Sequence, residues 1–261
     1  MHLQVDDKSV FAATGGRQFE ERQPVVVMLH GAGMDHIIWA LSARSLAHRG
    51  RSVLAVDLPG HGRSQGPALT GIAAMAAWVV RLLDAVRIHG ATLVGHSMGA
   101  LIALEAAGEA PQRIRRIALL GVAARMPVHP DLLKAAGDDQ AHAADLIASW
   151  GHGPAGHFGG NPAPGLWRMG GATRLLNQAE EGVLGSDLAA CDAYDATAGA
   201  SRVRCPSLLL LGALDRMTPP GKAKALAAAL PNSQTTVIPG AGHMMMSEAP
   251  DAVIDALLAF A

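Results

Sequence analysis

The chain has 261 residues, with 21 basic and 22 acidic side chains and a formal net charge of −1. This balance provides no basic field for holding a polyphosphate backbone, so nucleic-acid binding is not expected. Because 50% of the residues are hydrophobic and only 16% are charged, the chain has enough apolar material for a sizeable core, which argues against disorder.

The first residues and the apolar runs bear on location. Residues 1–7 lack the basic and apolar segments of an export signal, so we expect a cytoplasmic protein. The longest uninterrupted apolar run, residues 72–80, is shorter than the roughly 20 residues that a membrane span requires. Cys191 and Cys205 lack the spacing of metal ligands, and we interpret both as free structural thiols.

Short apolar runs alternate with longer helical segments along the chain. The runs predicted to form buried strands are residues 25–29, 52–56, 91–94, 117–120, 207–211 and 235–238. The segments predicted to form helices between and after them are residues 39–49, 70–88, 99–109, 222–229 and 250–260. Such alternation is typical of an α/β fold, in which a mostly parallel, doubly wound sheet is covered by helices on both faces.

The alternation stops near residue 123 and resumes near residue 202. We therefore predict a core domain made of residues 1–122 and 202–261, and a small helical cap made of residues 123–201 above the strand ends. Within the cap, helices are predicted at residues 138–150 and 186–197. Residues 151–165 contain six glycines and three prolines, which predicts a lid loop, although a plain surface excursion stays open.

The motif that points most directly to chemistry is Gly-His-Ser-Met-Gly at residues 95–99. It follows the predicted strand at residues 91–94 and opens a helix, which is the context that a Gly-x-Ser-x-Gly motif requires. Its two glycines permit a turn tight enough to lift the Ser97 hydroxyl above the sheet. This predicts Ser97 as the nucleophile. Ser64 lies in a similar glycine-rich stretch, but no helix follows it directly.

A serine nucleophile needs a histidine base, and the histidine needs a carboxylate that fixes its tautomer and stabilises its cation. His243 is favoured among the twelve histidines because it ends a glycine loop after the last predicted strand. Asp215 follows the strand at residues 207–211, whereas the loop after residues 117–120 offers no carboxylate. The predicted triad is therefore Ser97, Asp215 and His243, in that chain order.

With these motifs the chain resembles the α/β-hydrolase fold family, of the serine hydrolase and esterase type with a cap insertion. Two further landmarks carry the resemblance: His-Gly-Ala-Gly at residues 30–33, and Asp-Leu-Pro-Gly-His-Gly-Arg-Ser at residues 57–64. The likeness covers nearly the whole chain apart from the middle insertion. It implies that the backbone N–H groups of Ala32 and Met98 form the oxyanion hole.

The resemblance also implies that His30 and His61 hydrogen-bond to loops around the site and do not act in catalysis. Neither a dinucleotide fingerprint nor a phosphate loop is complete in this sequence, so no cofactor is expected. His152 and His157 could bind a metal in principle, but no metal-ligand motif supports them, and no metal is expected.

The substrate pocket is predicted from large apolar residues in and near the insertion. The side chains proposed to line it are Trp150, Phe158, Trp167, Met217 and Met244. Packing within the insertion is an equally good interpretation for any one of them. An apolar lid would exclude water and hold an acyl or alcohol group, so the expected reaction is cleavage of a small, largely apolar carboxylic ester or related acyl compound through an acyl-enzyme.

Other activities of the same fold share this triad, and the motifs do not separate them. They are enol-lactone hydrolysis, carbon–carbon bond hydrolysis, acyl transfer and perhydrolysis. Haloalkane dehalogenation and epoxide opening are disfavoured, because those relatives place a carboxylate at the position of Ser97. A non-catalytic ligand receptor is the remote alternative. The expected partner is a small-molecule substrate, while the natural substrate and a homodimer are left open.

Overall fold

The computed structural model describes residues 1–157 and 167–261. Within these residues one sheet has eight strands, in the order β1-β2-β4-β3-β5-β6-β7-β8. The strands are β1 (His2–Val5), β2 (Lys8–Ala13), β3 (Val25–Leu29), β4 (Ser52–Val56), β5 (Ala91–His96), β6 (Ile114–Leu120), β7 (Ser207–Gly212) and β8 (Ser233–Ile238). All six predicted strands are present, at β3 to β8.

The strands β3 to β8 are parallel, and β1 and β2 form an antiparallel edge. Every residue of β3, β4, β5 and β7 is buried. A strand whose two faces are both covered must be apolar on both, which is why these segments are continuous apolar runs. The predicted α/β fold with a mostly parallel sheet is confirmed.

Eleven α-helices lie in the described residues. They are α1 (Ala40–Ala47), α2 (Ile72–Ala85), α3 (Met98–Glu109), α4 (Pro130–Asp138), α5 (Gln140–Gly151), α6 (Arg168–Leu176), α7 (Val183–Ala193), α8 (Ala196–Arg202), α9 (Lys224–Ala229), α10 (Met245–Glu248) and α11 (Pro250–Phe260). None of the helices in the described ranges is long and apolar enough to cross a membrane.

The helices between residues 123 and 201 differ from the prediction. The structure adds α4 and α6, which the sequence pattern does not indicate, and it divides the predicted helix at 186–197 into α7 and α8. The division falls at Tyr194, whose backbone is extended (φ −90°, ψ 134°), and Asp195 then caps α8 by accepting from the Thr197 N–H. The predicted loop begins inside the last turn of α5.

Buried side chains form two clusters, one on each face of the sheet, and a third cluster above the site. The third draws on α4, α5, α6 and α7, with Leu132, Ile147 and Leu184 among its members, and it also contains Met34 and Met244. By contrast, α8 packs into the main core through Ala196 and Ala200. The cap limit predicted between residues 201 and 202 falls inside α8 and stays a prediction.

Candidate active site

Ser97 occupies the sharp turn between β5 and α3. Its backbone is in an unusual region for a residue with a side chain (φ 53°, ψ −115°). The Ser97 N–H donates to Leu120 O at 2.8 Å, and Ser97 O accepts from the Ala100 N–H at 2.9 Å, which holds this conformation. A Cβ atom at residue 95 would clash with the Gly99 carbonyl, so the motif glycines are required sterically.

His243 and Asp215 form a buried pair on the loops that follow β8 and β7. His243 Nδ1 lies 2.8 Å from Asp215 Oδ2. A carboxylate oxygen accepts, so Nδ1 carries the proton and Nε2 is left with its lone pair. Burial by itself raises the pKa of Asp215, but the neighbouring His243 and the hydrogen bonds to the carboxylate outweigh burial, and the pKa is lowered. Asp215 is therefore ionised at neutral pH.

Thr218 completes the environment of Asp215, and the sequence analysis does not identify it. Its hydroxyl donates to Asp215 Oδ2 at 2.7 Å and lies 3.2 Å from His243 Nδ1. Asp215 Oδ1 accepts from the N–H groups of Met217 and Thr218 at 2.9 and 2.8 Å. The carboxylate that orients His243 is thus held by backbone donors and a hydroxyl. The sequence signal that could have indicated this contact is a Thr three residues after Asp215.

Ser97 and His243 line the same cavity. His243 Nε2 is buried and has no hydrogen-bond partner in the described part of the chain, so this nitrogen is available as a base. The ring lies close to Gly121, where an added Cβ would be 2.9 Å from His243 Nδ1 and Cε1. A residue without a side chain at position 121 therefore makes room for the imidazole.

His96 is a second neighbour of the pair that the sequence analysis does not single out. Its Nε2 donates to His243 O at 3.0 Å, and the two rings lie 4.7 Å apart. Burial lowers the pKa of His96 to about 3, with a further contribution from His243, so this ring is neutral at physiological pH. The contact fixes the backbone of His243 from the residue that precedes Ser97. Position 96 is a variable residue of the Gly-x-Ser-x-Gly motif, so the motif does not indicate its contact with His243.

The two candidate oxyanion donors come from two separate segments, the turn after β3 and the start of α3. Ala32 lines the cavity, in a turn closed by a 3.2 Å hydrogen bond from the Met34 N–H to Gly31 O. Met98 is the first residue of α3, where helix geometry leaves the N–H without an intrahelical acceptor. Within the described residues neither N–H has a hydrogen-bond acceptor, which leaves both free for a substrate oxygen.

The cavity above Ser97 has a volume of about 570 Å³ and is lined mainly by apolar side chains. Three of the predicted pocket residues line it: Trp150, Met217 and Met244. The structure does not bring Trp167 to the cavity, because this side chain is 69% exposed and is not among the lining residues. Phe158 lies outside the described residues. Lining residues that the sequence analysis did not place there are Met34, Met126, Val128, Leu132, Ile147, Leu188 and Cys191.

Asp35, His36 and Asp57 bring potential metal-ligand atoms within 4.8 Å of one another. These atoms already bond to protein groups. Asp57 Oδ1 lies 2.7 Å from His36 Nδ1 and accepts from the His36 N–H, while Asp35 caps a short 3₁₀ helix through the Ile37 N–H. The cluster therefore ties the loops after β3 and β4 together.

Three comparisons with known proteins agree with this fold. The sequence model of a family described as alpha/beta hydrolase fold matches residues 24–250. The chain is 34% identical over 232 residues to the pimeloyl-[acyl-carrier protein] methyl ester esterase of Chromobacterium violaceum, covering 84% of this chain and 87% of that protein. It is 31% identical over 245 residues to polyketide synthase ThaQ of Burkholderia thailandensis, covering 92% of this chain. The chain spans only 12% of that synthase.

Among solved structures, the enol-lactonase from Burkholderia xenovorans LB400 resembles the chain with a TM-score of 0.86. The superposition covers 100% of this chain and 99% of that chain, at 24% sequence identity. At this level of identity the likeness shows the fold alone.

Proposed function

The chain belongs to the α/β-hydrolase family, and we propose that it is a serine hydrolase that cleaves small, largely apolar carboxylic esters or related acyl compounds. One observation carries the proposal. Ser97, on its strained turn, shares a cavity with His243, whose Nδ1 bonds to Asp215 and whose Nε2 has no partner among residues 1–157 and 167–261. Acyl transfer through serine uses a hydroxyl, an imidazole base and a buried carboxylate, and all three groups are present here.

In the proposed reaction Ser97 Oγ attacks the ester carbonyl carbon while His243 Nε2 takes the hydroxyl proton. The carbonyl electrons move to oxygen, and the N–H groups of Ala32 and Met98 stabilise this oxyanion. The tetrahedral intermediate collapses, the bond to the alcohol breaks, and the imidazolium returns its proton to the departing oxygen. A water molecule, deprotonated by His243, then attacks the acyl-enzyme; the bond from the acyl carbon to Ser97 Oγ breaks, the acid leaves, and the imidazolium returns its proton to Oγ. Asp215 stabilises the imidazolium in both halves.

The shape and lining of the cavity support a small apolar acyl or alcohol group. Its volume of about 570 Å³ lies in the range of small-molecule sites, and Trp150, Met217 and Met244 contribute apolar surface. Arg216 and Lys222, both exposed, also line it. The resemblance to a methyl ester esterase at 34% identity supports esters as the substrate class.

The experiment that tests this function is a panel of p-nitrophenyl esters with acyl chains from acetyl to dodecanoyl. We expect kcat/KM to rise with chain length while each added methylene is buried in the cavity, because a buried methylene contributes a limited favourable free energy. Once the chain is too long to fit, kcat/KM should fall by about tenfold. Enol-lactone and thioester substrates belong in the panel, since those activities use the same triad. Steady-state rates with the purified protein give kcat/KM for each compound.

Two tryptophan variants make this test specific. Trp150→Ala enlarges the cavity and should move the chain-length optimum to longer esters. Trp167→Ala removes a side chain of the same type that is 69% exposed and is not among the lining residues, so it should leave the optimum unchanged. A flat profile, or an optimum that shifts equally in both variants, would contradict the assigned pocket. A wild-type protein that hydrolyses no member of the panel would contradict the function.

A further inference from the structure

A buried carboxylate of α7 contacts two loops of the core, one of which carries the candidate oxyanion donor Ala32. It belongs to Asp187, and its Oδ2 lies 2.9 Å from Nε2 of His61, in the loop after β4. The same oxygen accepts a hydrogen bond from the Gly33 N–H, also at 2.9 Å. These two contacts span 126 and 154 positions of the sequence. One carboxylate oxygen of α7 therefore holds two separate loops of the core.

The hydrogen-bond partners of His61 favour a ring that carries both protons. Nδ1 lies 3.0 Å from Pro59 O, and Nε2 faces the Asp187 carboxylate. A carbonyl oxygen and a carboxylate oxygen can only accept, so both ring nitrogens donate. Burial by itself lowers the pKa of His61, but the hydrogen bond and the charge of Asp187 outweigh burial, and the pKa is raised. The contact thus favours the protonated form of His61.

The other titratable groups around His61 do not replace this pairing. The His30 ring lies 4.8 Å from the His61 ring, and burial, with a contribution from His61, lowers the pKa of His30 to about 4, so it is neutral. The charge of Asp57 raises the pKa of His61 less than Asp187 does. On α7, burial raises the pKa of Cys191, which leaves that thiol neutral beside Asp187.

Packing alone does not account for a carboxylate at this position. Asp187 is fully buried, and its Oδ1 has no hydrogen-bond partner in the described residues. Apolar residues of similar volume often stabilise a protein as well as a buried ion pair does, because the ions lose their hydration. Leu184 and Leu188, on the same face of α7, already supply apolar contacts. The carboxylate is therefore better explained by what it holds, namely the Gly33 N–H.

We propose that Asp187 is a positioning residue that holds the oxyanion loop in its productive conformation and couples that loop to α7. Gly33 directly follows Ala32 in the turn closed by the Met34 N–H, and it has a positive φ of 64°. Its hydrogen bond to Asp187 fixes the peptide plane between Ala32 and Gly33 and so limits rotation of the turn. The inference rests on the proposed function, because it requires the Ala32 N–H to bind the oxyanion.

The placement of α7 gives this coupling a role in substrate binding. Leu188 and Cys191 of α7 line the cavity, while Asp187 of the same helix bonds to the core loops. A substrate that fills the cavity therefore contacts the helix that holds Gly33. Occupation of the cavity and alignment of the oxyanion donor are linked through one helix.

The variant that tests the proposal is Asp187→Asn. An asparagine keeps the shape of the side chain but removes the charge. If its carbonyl oxygen takes the place of Asp187 Oδ2, beside His61 and Gly33, its amide group must occupy the place of Oδ1, which has no partner in the described residues. We expect kcat for p-nitrophenyl butyrate to fall about 10–100-fold, with KM changed less than about threefold, because a misplaced donor weakens binding of the transition state more than of the substrate.

Asp192→Asn is the matched control. It makes the same chemical change on the same helix, and Asp192 also accepts a backbone N–H, from Val128 at 2.9 Å. Because Asp192 is exposed and an asparagine oxygen can still accept that bond, kcat should stay within about twofold of wild type. Rates are expressed per active site, titrated with a fluorophosphonate, so that a smaller folded fraction does not count as a slower enzyme.

The possible results separate the proposal from a purely structural role and from failure of the proposed function. A fall in kcat per titrated site with KM preserved supports positioning. An Asp187→Asn enzyme with wild-type kcat per titrated site, or with a raised KM alone, would overturn it even if the melting temperature fell. A wild-type enzyme without esterase activity would instead remove the proposed function.

A measurement on the wild-type protein keeps the proposal testable if Asp187→Asn does not fold. A group whose pKa is raised on folding stabilises the protein below its ordinary pKa and loses that contribution as the pH rises through the raised value. Because the Gly33 N–H and His61 Nε2 share Asp187 Oδ2, we expect the Gly33 amide resonance in a ¹⁵N-resolved NMR titration to shift together with the His61 ring signals as the pH rises through the pKa of His61. A Gly33 amide that does not respond while His61 titrates would overturn the coupling.

Discussion

Replacing Ser97 by alanine is expected to lower kcat for ester hydrolysis by about 10⁶, because the acyl-enzyme cannot form without the hydroxyl and the triad acts as a unit. Alanine fits the turn at φ 53° as well as serine does, since both have a Cβ atom and, in the described part of the chain, the Ser97 side chain makes no hydrogen bond that caps α3. The fold should therefore be retained. Initial rates with p-nitrophenyl butyrate, compared at equal concentrations of folded protein, measure the loss.

Ser201→Ala is a suitable control for this variant. Ser201 is an exposed residue of α8 and does not line the cavity, so this variant makes the same chemical change away from the site. Its activity should equal that of wild type. If Ser97→Ala retained more than about a tenth of wild-type turnover, another group would have to be the nucleophile.

Replacing Asp215 by asparagine is expected to lower kcat by about 10⁴, the size of effect that follows when the orienting carboxylate of a serine triad is made neutral. The amide would keep contacts with the Met217 and Thr218 N–H groups, but it can present an N–H to His243 Nδ1. The imidazole would then carry its proton on Nε2, where it cannot accept the proton of Ser97. Measured pH–rate profiles with p-nitrophenyl butyrate report the loss.

Two comparisons make this result specific to the pair with His243. Asp255→Asn changes an exposed carboxylate on α11 and should leave kcat unchanged. Thr218→Val removes one hydrogen bond to Asp215 but keeps its charge, so its effect should be much smaller than that of Asp215→Asn. An Asp215→Asn enzyme with more than about a tenth of wild-type activity would mean that Asp215 does not orient the base.

The parts of the fold that are predictable from sequence are those with local signals. Strands β3, β4, β5 and β7 are apolar runs because both of their faces are covered. Gly95 and Gly99 mark the turn because no side chain fits beside its backbone. The N-terminal hairpin carried a weaker signal. Its turn uses Asp6 and Asp7 at φ 51° and 59°, without the glycine that usually marks such a turn.

The features that sequence reasoning missed depend on contacts between distant residues or on weak local signals. α6 contains Gly170 and Gly171, which lower helix propensity, so its helical conformation depends on packing against α5. The contacts of Asp187 with Gly33 and His61 join separate parts of the chain, and no spacing rule predicts them. Trp167 shows the converse: an apolar side chain in the insertion predicted a pocket wall, yet it is exposed.

The central claim is that Ser97 is the nucleophile, and covalent labelling with a fluorophosphonate tests it most directly. The reagent should add its phosphonyl group to one site, and peptide mass spectrometry should place that group on Ser97. His243→Ala should label far more slowly, because the base that activates the hydroxyl is gone. Labelling of another serine, or no labelling of a folded protein that hydrolyses esters, would contradict the account.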